Sequence, residues 1–230
     1  MSETIAMGAR TLPGEIDPGA LFSLLIASLR NASALILDDR GVIVWRCCRI
    51  GRLLCHEGEV IGSRLDAIVP GTWARERYAL IDEAHRTGHT KSLYSIWLGV
   101  RTVTRFVPIS AGGHAWTMAI SESATPEQMK EELARGGDAV CSKVNVLGPL
   151  EVLTGRELQV LALLGQGLRP KEIATALNRS ISTVEGHRER IGQKLGVHDR
   201  AELLLMAQRA GLRLEDADAE RGVLALAPKR

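Results

Sequence analysis

The chain of 230 residues has no apolar run of the roughly 18 residues that a membrane-spanning helix requires. The segment Leu21 to Leu29 (LFSLLIASL) is too short. It has neither a basic flank before it nor a small-residue cleavage site after it, so it reads as a buried helix and not as an export signal. Cysteine is scarce, at four residues, which argues for reduced thiols in a cytoplasmic protein and against a disulfide framework. Charge of one sign is lacking as well: 29 Lys+Arg against 27 Asp+Glu leave a net charge of +2, which names no partner by itself. There is no internal repeat and no low-complexity tract. There is no nucleotide-binding glycine loop, nucleophile elbow or metal-ligand cluster, so an enzyme is not expected. What is present, with 45% hydrophobic residues, is the composition of a soluble globular protein of two domains, each able to bury a core.

Glycine and proline mark the divisions. Residues 1–20, with Gly8, Pro13, Gly14, Pro18 and Gly19, read as a flexible tail. Residues 21–122 form a first domain, and residues 123–149 a linker with a short helix. Thr125-Pro126-Glu127 starts that helix with a capping side chain, a proline whose missing N–H is harmless, and an acid in the first turn. Gly136-Gly137 ends it, and Gly148-Pro149 is a second break. Residues 150–212 read as a helical domain and residues 213–230 as a tail or frayed helix.

The helical domain opens on Leu153-Thr154-Gly155-Arg156-Glu157, where Thr154 and Glu157 are spaced as a capping box. Leu158, Val160, Leu161 and Leu164 supply an apolar stripe. Gly165 and Gly167 stop this helix, and Pro170 opens a second over Lys171 to Leu177. After the turn at Asn178-Arg179, Ser180 or Ser182 caps a third helix, on which Val184, His187, Ile191 and Leu195 share one side. A fourth runs over about Arg200 to Ala210. With Val184 and Ile191 inward, the third helix presents Ser182, Glu185, Gly186, Glu189 and Gln193 outward, with Arg190 at the edge. A helix in the major groove of double-stranded DNA needs short or planar polar side chains there to reach base edges. Thr183 and the helix N-terminus suit a phosphate, and Gly186 lets backbone approach a base. Glu185 or Glu189 suits a cytosine amino group. Lys171, Arg179, Arg188, Lys194 and Arg200 are candidate phosphate clamps. His187 reads as a packed histidine.

These pieces resemble the DNA-binding domain of the LuxR type, shared with response regulators of the NarL and FixJ kind. The resemblance covers about Leu150 to Leu212 and rests on the L-T-x-R-E opening, the K-E-I-A second helix, the S-x-x-T-V-x-x-H third helix and the K-L-x-V exit. It implies a four-helix helix-turn-helix domain whose third helix reads the groove and whose fourth pairs two subunits. Arg169-Pro170 replaces a polar pair often found before K-E-I-A, and Glu185 and Glu189 stand where some relatives use lysine. From Glu151 to Asp216 there are 10 Lys+Arg and 9 Asp+Glu, so non-specific DNA affinity should be modest and dimerisation should matter.

In the first domain, Ala34 to Trp45 reads as two strands around a tight turn, Asp38-Asp39-Arg40-Gly41. Short helical pieces follow Val60, a longer helix covers Trp73 to His85 and ends at Gly88, and three strands finish: Ser92 to Leu98, Arg101 to Ile109 and Ala115 to Ile120. This is an α+β order with a largely antiparallel sheet. It resembles a PAS domain, carried by D-D-R-G-V-I, the segment from Val60 to Pro70, A-x-x-T-G at Ala84 to Gly88, and the strand around Arg105 to Pro108. The resemblance implies a pocket between sheet and helices that holds haem, flavin or a small ligand, or a domain that only dimerises; the cofactor is left unknown. No N-C-R-F-L-Q-like photosensor run is present. His85 is the one candidate haem ligand, although an exposed histidine is the plainer reading. Cys47-Cys48 and Cys55-His56 invite a metal or redox reading, but the spacing fits no common zinc pattern. Cys141 falls in the linker, where an intersubunit disulfide lacks support.

The combined expectation is a cytoplasmic regulator of transcription: a PAS-like sensor joined to a LuxR-type helix-turn-helix, acting as a homodimer on a paired-half-site operator. RNA polymerase and a small-molecule ligand are compatible further partners, and a membrane is not one. The alternative is a constitutive DNA-binding regulator whose front domain serves only dimerisation or protein interaction. No receiver domain precedes the helices, so phosphorelay control is not the default.

Overall fold

The computed structural model describes residues 32–47, 60–111, 113–197 and 199–222. The expected tail 1–20, the segment Leu21 to Leu29, and Cys48, Cys55 and His56 lie outside the described residues, as does 223–230.

The front domain is an α/β unit built on a six-stranded sheet of spatial order β2-β1-β5-β4-β3-β6. Strands β1 (Ala32–Leu37) and β2 (Ile43–Cys47) form the expected hairpin. Its turn is fixed by the Asp38 carboxylate, which accepts from the backbone N–H of Arg40 (3.0 Å) and of Val42 (2.8 Å). Gly41 sits there at φ 75°, and a Cβ on it would lie 2.5 Å from the Tyr78 ring, so glycine is required twice over. Helices α1 (Leu65–Ile68) and α2 (Gly71–Thr87) follow, the second ended by Gly88 in the left-handed region. Then come β3 (Lys91–Trp97), β4 (Val100–Ala111) and β5 (His114–Ser123), paired antiparallel as β3–β4–β5 and β5–β1. Leu35, Leu37, Leu93 and Phe106 are buried with Leu80 and Ile81 of α2 packed against them. Each such side chain contributes about 1.5–3 kcal/mol by leaving water.

Two stretches differ from the sequence expectation. The linker 123–149 is part of the fold. Helix α3 (Pro126–Arg135) has the expected cap, closed into a full box by Gln128. The chain then adds β6 (Ala139–Cys141) to the sheet edge, parallel to β3, so the sheet is mixed. The presumed tail is also ordered as far as residue 222. A 3-10 turn, Leu214–Ala217, buries Asp216 and Ala217, and β8 (Glu220–Arg221) pairs parallel with β7 (Val144–Asn145). The reason is the same in both places: short segments with weak patterns of their own gain partners from distant parts of the chain.

After a 3-10 turn at Gly148–Val152, four helices follow: α4 (Gly155–Gly165), α5 (Pro170–Ala176), α6 (Ile181–Leu195) and α7 (Arg200–Ala210). Their shared core holds Leu158, Leu161, Ile173, Val184, Ile191 and Leu203, and it extends to Ile96 of β3. The two domains are also joined by the buried Arg101 of β4. Its guanidinium donates to the Gly211 carbonyl at the end of α7 (2.9 Å) and is ion-paired with Asp216.

Candidate DNA interface

The third helix of the domain is placed by a series of caps and a turn. At α4, Glu157 accepts from the Thr154 N–H (2.8 Å) while the Thr154 hydroxyl accepts from the Glu157 N–H (3.3 Å). Between α4 and α5, Arg156 donates to the Leu177 carbonyl (2.8 Å) and to Gln159 (2.8 Å), fixing the end of α5. Asn178 takes the left-handed conformation at φ 50°, which asparagine tolerates, and turns the chain into α6. Ser180, not Ser182, caps α6: its hydroxyl accepts from the Thr183 N–H (3.1 Å) and lies 2.8 Å from the Thr183 hydroxyl. At the far end Gly196 closes the helix in the left-handed region.

The faces of α6 are divided by burial. Val184 and Ile191 are buried, and Leu195 is partly so. Ser182, Glu189, Arg190, Gln193 and Lys194 are exposed; Thr183, Glu185, Gly186, His187 and Arg188 are half-buried. Lys171 at the start of α5 and Arg179 before α6 are exposed. Arg200 falls at the first residue of α7, and nothing is described of its side chain.

Several of the candidate side chains have partners within the domain. Arg188 is ion-paired with Glu185 at 3.0 Å. Arg190 donates from Nε to the Gly186 carbonyl (3.0 Å) and folds over the glycine that would admit a base. Lys194 reaches back 2.7 Å to the Glu157 carboxylate of the α4 cap. Glu157 is nearly enclosed, and burial alone would raise its pKa; the Lys194 ammonium and the Thr154 donors outweigh it and hold the carboxyl below its ordinary range. Burial, with Arg190 and Arg156 nearby, lowers the His187 pKa. Among the described residues its Nδ1 has no hydrogen-bond partner.

Two contributors escaped the sequence reading. Arg156 lies inside the L-T-x-R-E opening, yet only the fold shows its hold on Leu177. Ile181, at the first turn of α6, is 49% exposed, an apolar side chain beside Ser182 and suited to a thymine methyl group. An isoleucine directly after a capping serine was the available signal.

In the front domain, His85 is hydrogen-bonded to Thr117 (2.9 Å). The Cys141 thiol is half-buried, and burial pushes its pKa up. Among the described residues, no group of three or more His, Cys, Asp or Glu is placed to hold a metal ion, and no helix is long and apolar enough to cross a membrane.

Residues 151–207 match the family of bacterial regulatory proteins, luxR family. The oxygen regulatory protein NreC of Staphylococcus aureus is 40% identical over 68 residues, which are 30% of this chain and 31% of that protein. The chain thus matches under a third of the length of its curated relatives. Among solved structures, VqmA of Vibrio cholerae in complex with ligand and DNA is 20% identical, over 94% of this chain and 100% of that one, with a TM-score of 0.47. The Vibrio cholerae VqmA dimer in the absence of target DNA is 20% identical over 89% and 96%, with a TM-score of 0.45. The sequence match and the four-helix arrangement agree on one point: the C-terminal domain of this chain is a luxR-family helix-turn-helix domain.

Proposed function

We propose that the protein is a sequence-specific DNA-binding regulator of transcription, with α6 in the major groove of an operator. The carrying observation is the exposed edge of α6 in a luxR-family domain: Ile181, Ser182, Glu189, Arg190 and Gln193 stand free of the core on one helix. Ser182, Glu185, Gly186, Glu189 and Gln193 face the bases, once Arg190 has swung off Gly186. The N-terminus of α6 with Thr183, and Lys171, Arg179, Arg188 and Arg190, take phosphates. Lys194 acts mainly through Glu157. The domain is nearly neutral, so two copies on paired half-sites supply the affinity one copy lacks. Helix α7 is the pairing element, and its Leu205 is 54% exposed.

The front domain is a PAS-like sensor by this reading, supported by its hairpin, α2 and the three-strand meander in the expected order. The alternative is a front domain that serves only dimerisation or protein interaction.

Selection of bound sequences from a random DNA library, with the full-length protein at fixed salt, tests the main reading. A recurring palindromic or tandem site is expected. No enrichment from a folded sample overturns it.

A further inference from the structure

The cavity between α2 and the sheet has an unusual lining. One side is apolar, with Leu35, Leu37 and Phe106. The other carries Trp73, Arg77 and Trp97, which are 6%, 1% and 3% exposed. Among the described residues, each of these three has an N–H without a hydrogen-bond partner: Nε1 of Trp73, Nε of Arg77 and Nε1 of Trp97. A buried donor left unpaired costs about 1–3 kcal/mol, and all three donors belong to residues that line this one cavity. All three missing partners are acceptors, whereas the cavity hydroxyls already have each other: Thr104 with Ser121 at 2.8 Å and Ser95 with Thr102 at 3.4 Å.

Charge points the same way. Arg77 stacks over the Trp73 ring with its Cζ 3.4 Å from the ring centroid, and it donates to the Trp73 carbonyl (3.1 Å) and to Ser95 (3.2 Å). Among the described residues its one carboxylate partner is Glu76, at 3.2 Å. Glu76 is shared: it also accepts from the Lys143 N–H (2.7 Å) and from the Ser142 hydroxyl. Burial pulls the Arg77 pKa down to about 9 in spite of Glu76, so the guanidinium is short of counter-charge.

We propose that this cavity is a binding site for a small carboxylate of acetate size, held by Arg77 Nε and the indole N–H groups of Trp73 and Trp97. Size limits the class. A void of about 30 Å³ takes one carboxylate group with little else, and larger acids must push Leu35, Leu37 and Phe106 aside. The proposal rests on the sensor reading of the front domain and deepens it, because Glu76 connects the site to the segment leading into the helical domain. An anion beside Arg77 competes with Glu76 for the guanidinium and loosens the hold of Glu76 on Ser142 and Lys143.

The test is titration of the full-length, ¹⁵N-labelled protein with sodium acetate at constant ionic strength, reading the four tryptophan indole N–H signals. Trp73→Phe and Trp97→Phe assign two of them. Acetate is expected to shift those two signals saturably, with half-saturation on the order of 0.1–10 mM for a four-atom ligand at ordinary ligand efficiency. Acetamide, its neutral isostere, should bind at least tenfold more weakly. Arg77→Gln should weaken acetate at least tenfold; if that variant fails to fold, the acetate–acetamide contrast on the unaltered protein decides alone. No saturable shift, or equal shifts with acetamide, overturns the proposal and leaves ordered water as the partner of the three donors. The readout uses no DNA, so a failed operator selection and a failed anion site are told apart.

Discussion

Removing the charge of Lys194 should cost stability before it costs DNA affinity. Lys194 Nζ lies 2.7 Å from Glu157, whose side chain is only 3% exposed and also caps α4. A hydrogen bond to a charged group in a buried setting is worth about 1.5–3 kcal/mol. Lys194 is itself 36% exposed, so solvent screening reduces this to about 1–1.5 kcal/mol. Lys194→Met keeps the aliphatic stem, and Glu157→Gln keeps an acceptor for the Thr154 N–H, so each removes little beyond the ion pair. In a chain of this length about 1 kcal/mol moves the melting temperature by about 2–4 °C, so each variant should melt about 3–5 °C lower. The double variant should lose scarcely more than either single one, a coupling of about 1 kcal/mol. Thermal melts of the four full-length proteins measure this, and salt titrations of DNA binding are run beside them. Lys194 is a phosphate contact and not a support of Glu157 if Lys194→Met melts within about 1 °C of the unaltered protein while the slope of log affinity against log salt falls by about 0.9, the signature of one lost phosphate contact.

The same carboxylate predicts a pH dependence. Glu157 is held below its ordinary value of 4.5, so its stabilisation is complete above that value and is lost as pH falls through the folded-state value. The melting difference between Glu157→Gln and the unaltered protein should therefore be full at pH 7 and shrink below about pH 4.5. Glu189→Lys, at an exposed position on α6, should steepen the salt slope of operator binding by up to about 0.9 and shift the selected sequence; unchanged specificity in a repeated library selection would place the reading face elsewhere. Gly192→Ala on the inner side of α6 would bring a Cβ to 2.7 Å from the Val197 carbonyl oxygen, and a loss of about 1–3 kcal/mol is expected in chemical denaturation. Arg101→Met strands the Asp216 carboxylate between the domains, with a cost of about 3–5 kcal/mol and faster proteolysis near residues 213–222 as the readout.

What could be read in advance was local. The capping side chain at Thr125, the capping box at Thr154, the glycine stops at Gly88 and Gly136, and the inward stripe of Val184 and Ile191 all act within a turn or two, where sequence spacing is spatial proximity. The outward face of α6 followed from the same periodicity. The contacts that qualify this face are not local. Glu157 and Lys194 are 37 positions apart, and Arg156 meets the Leu177 carbonyl across 21. Strand β6 has three residues and no alternation, so only the exposed edge of β3 makes it a strand. The pairing of β7 with β8 joins residues more than seventy positions apart. The cavity was equally hidden: nothing in the spacing of Trp73, Arg77 and Trp97 says that the three residues line the same void.

These long-range contacts bear on how a signal would pass from front to back. A flexible linker would leave the helical domain tethered but independent. Here Ile96 of β3 belongs to the core of the helical domain, β7 and β8 knit the two ends of that domain together, and Arg101 of β4 grips the carbonyl at the end of α7. The fit at that grip is close. Gly211 stands at φ 49°, and a Cβ on it would come within 3.2 Å of Arg101 and 3.3 Å of Pro126, the first residue of α3. Strand, α3 and the end of α7 therefore meet at one glycine. Packed elements of this kind change by shifting between discrete arrangements and not by loosening gradually. A change at the sheet would reach the helical domain as a displacement of α7, the helix proposed to pair two copies, and so would alter the distance between two α6 helices while leaving each reading face intact.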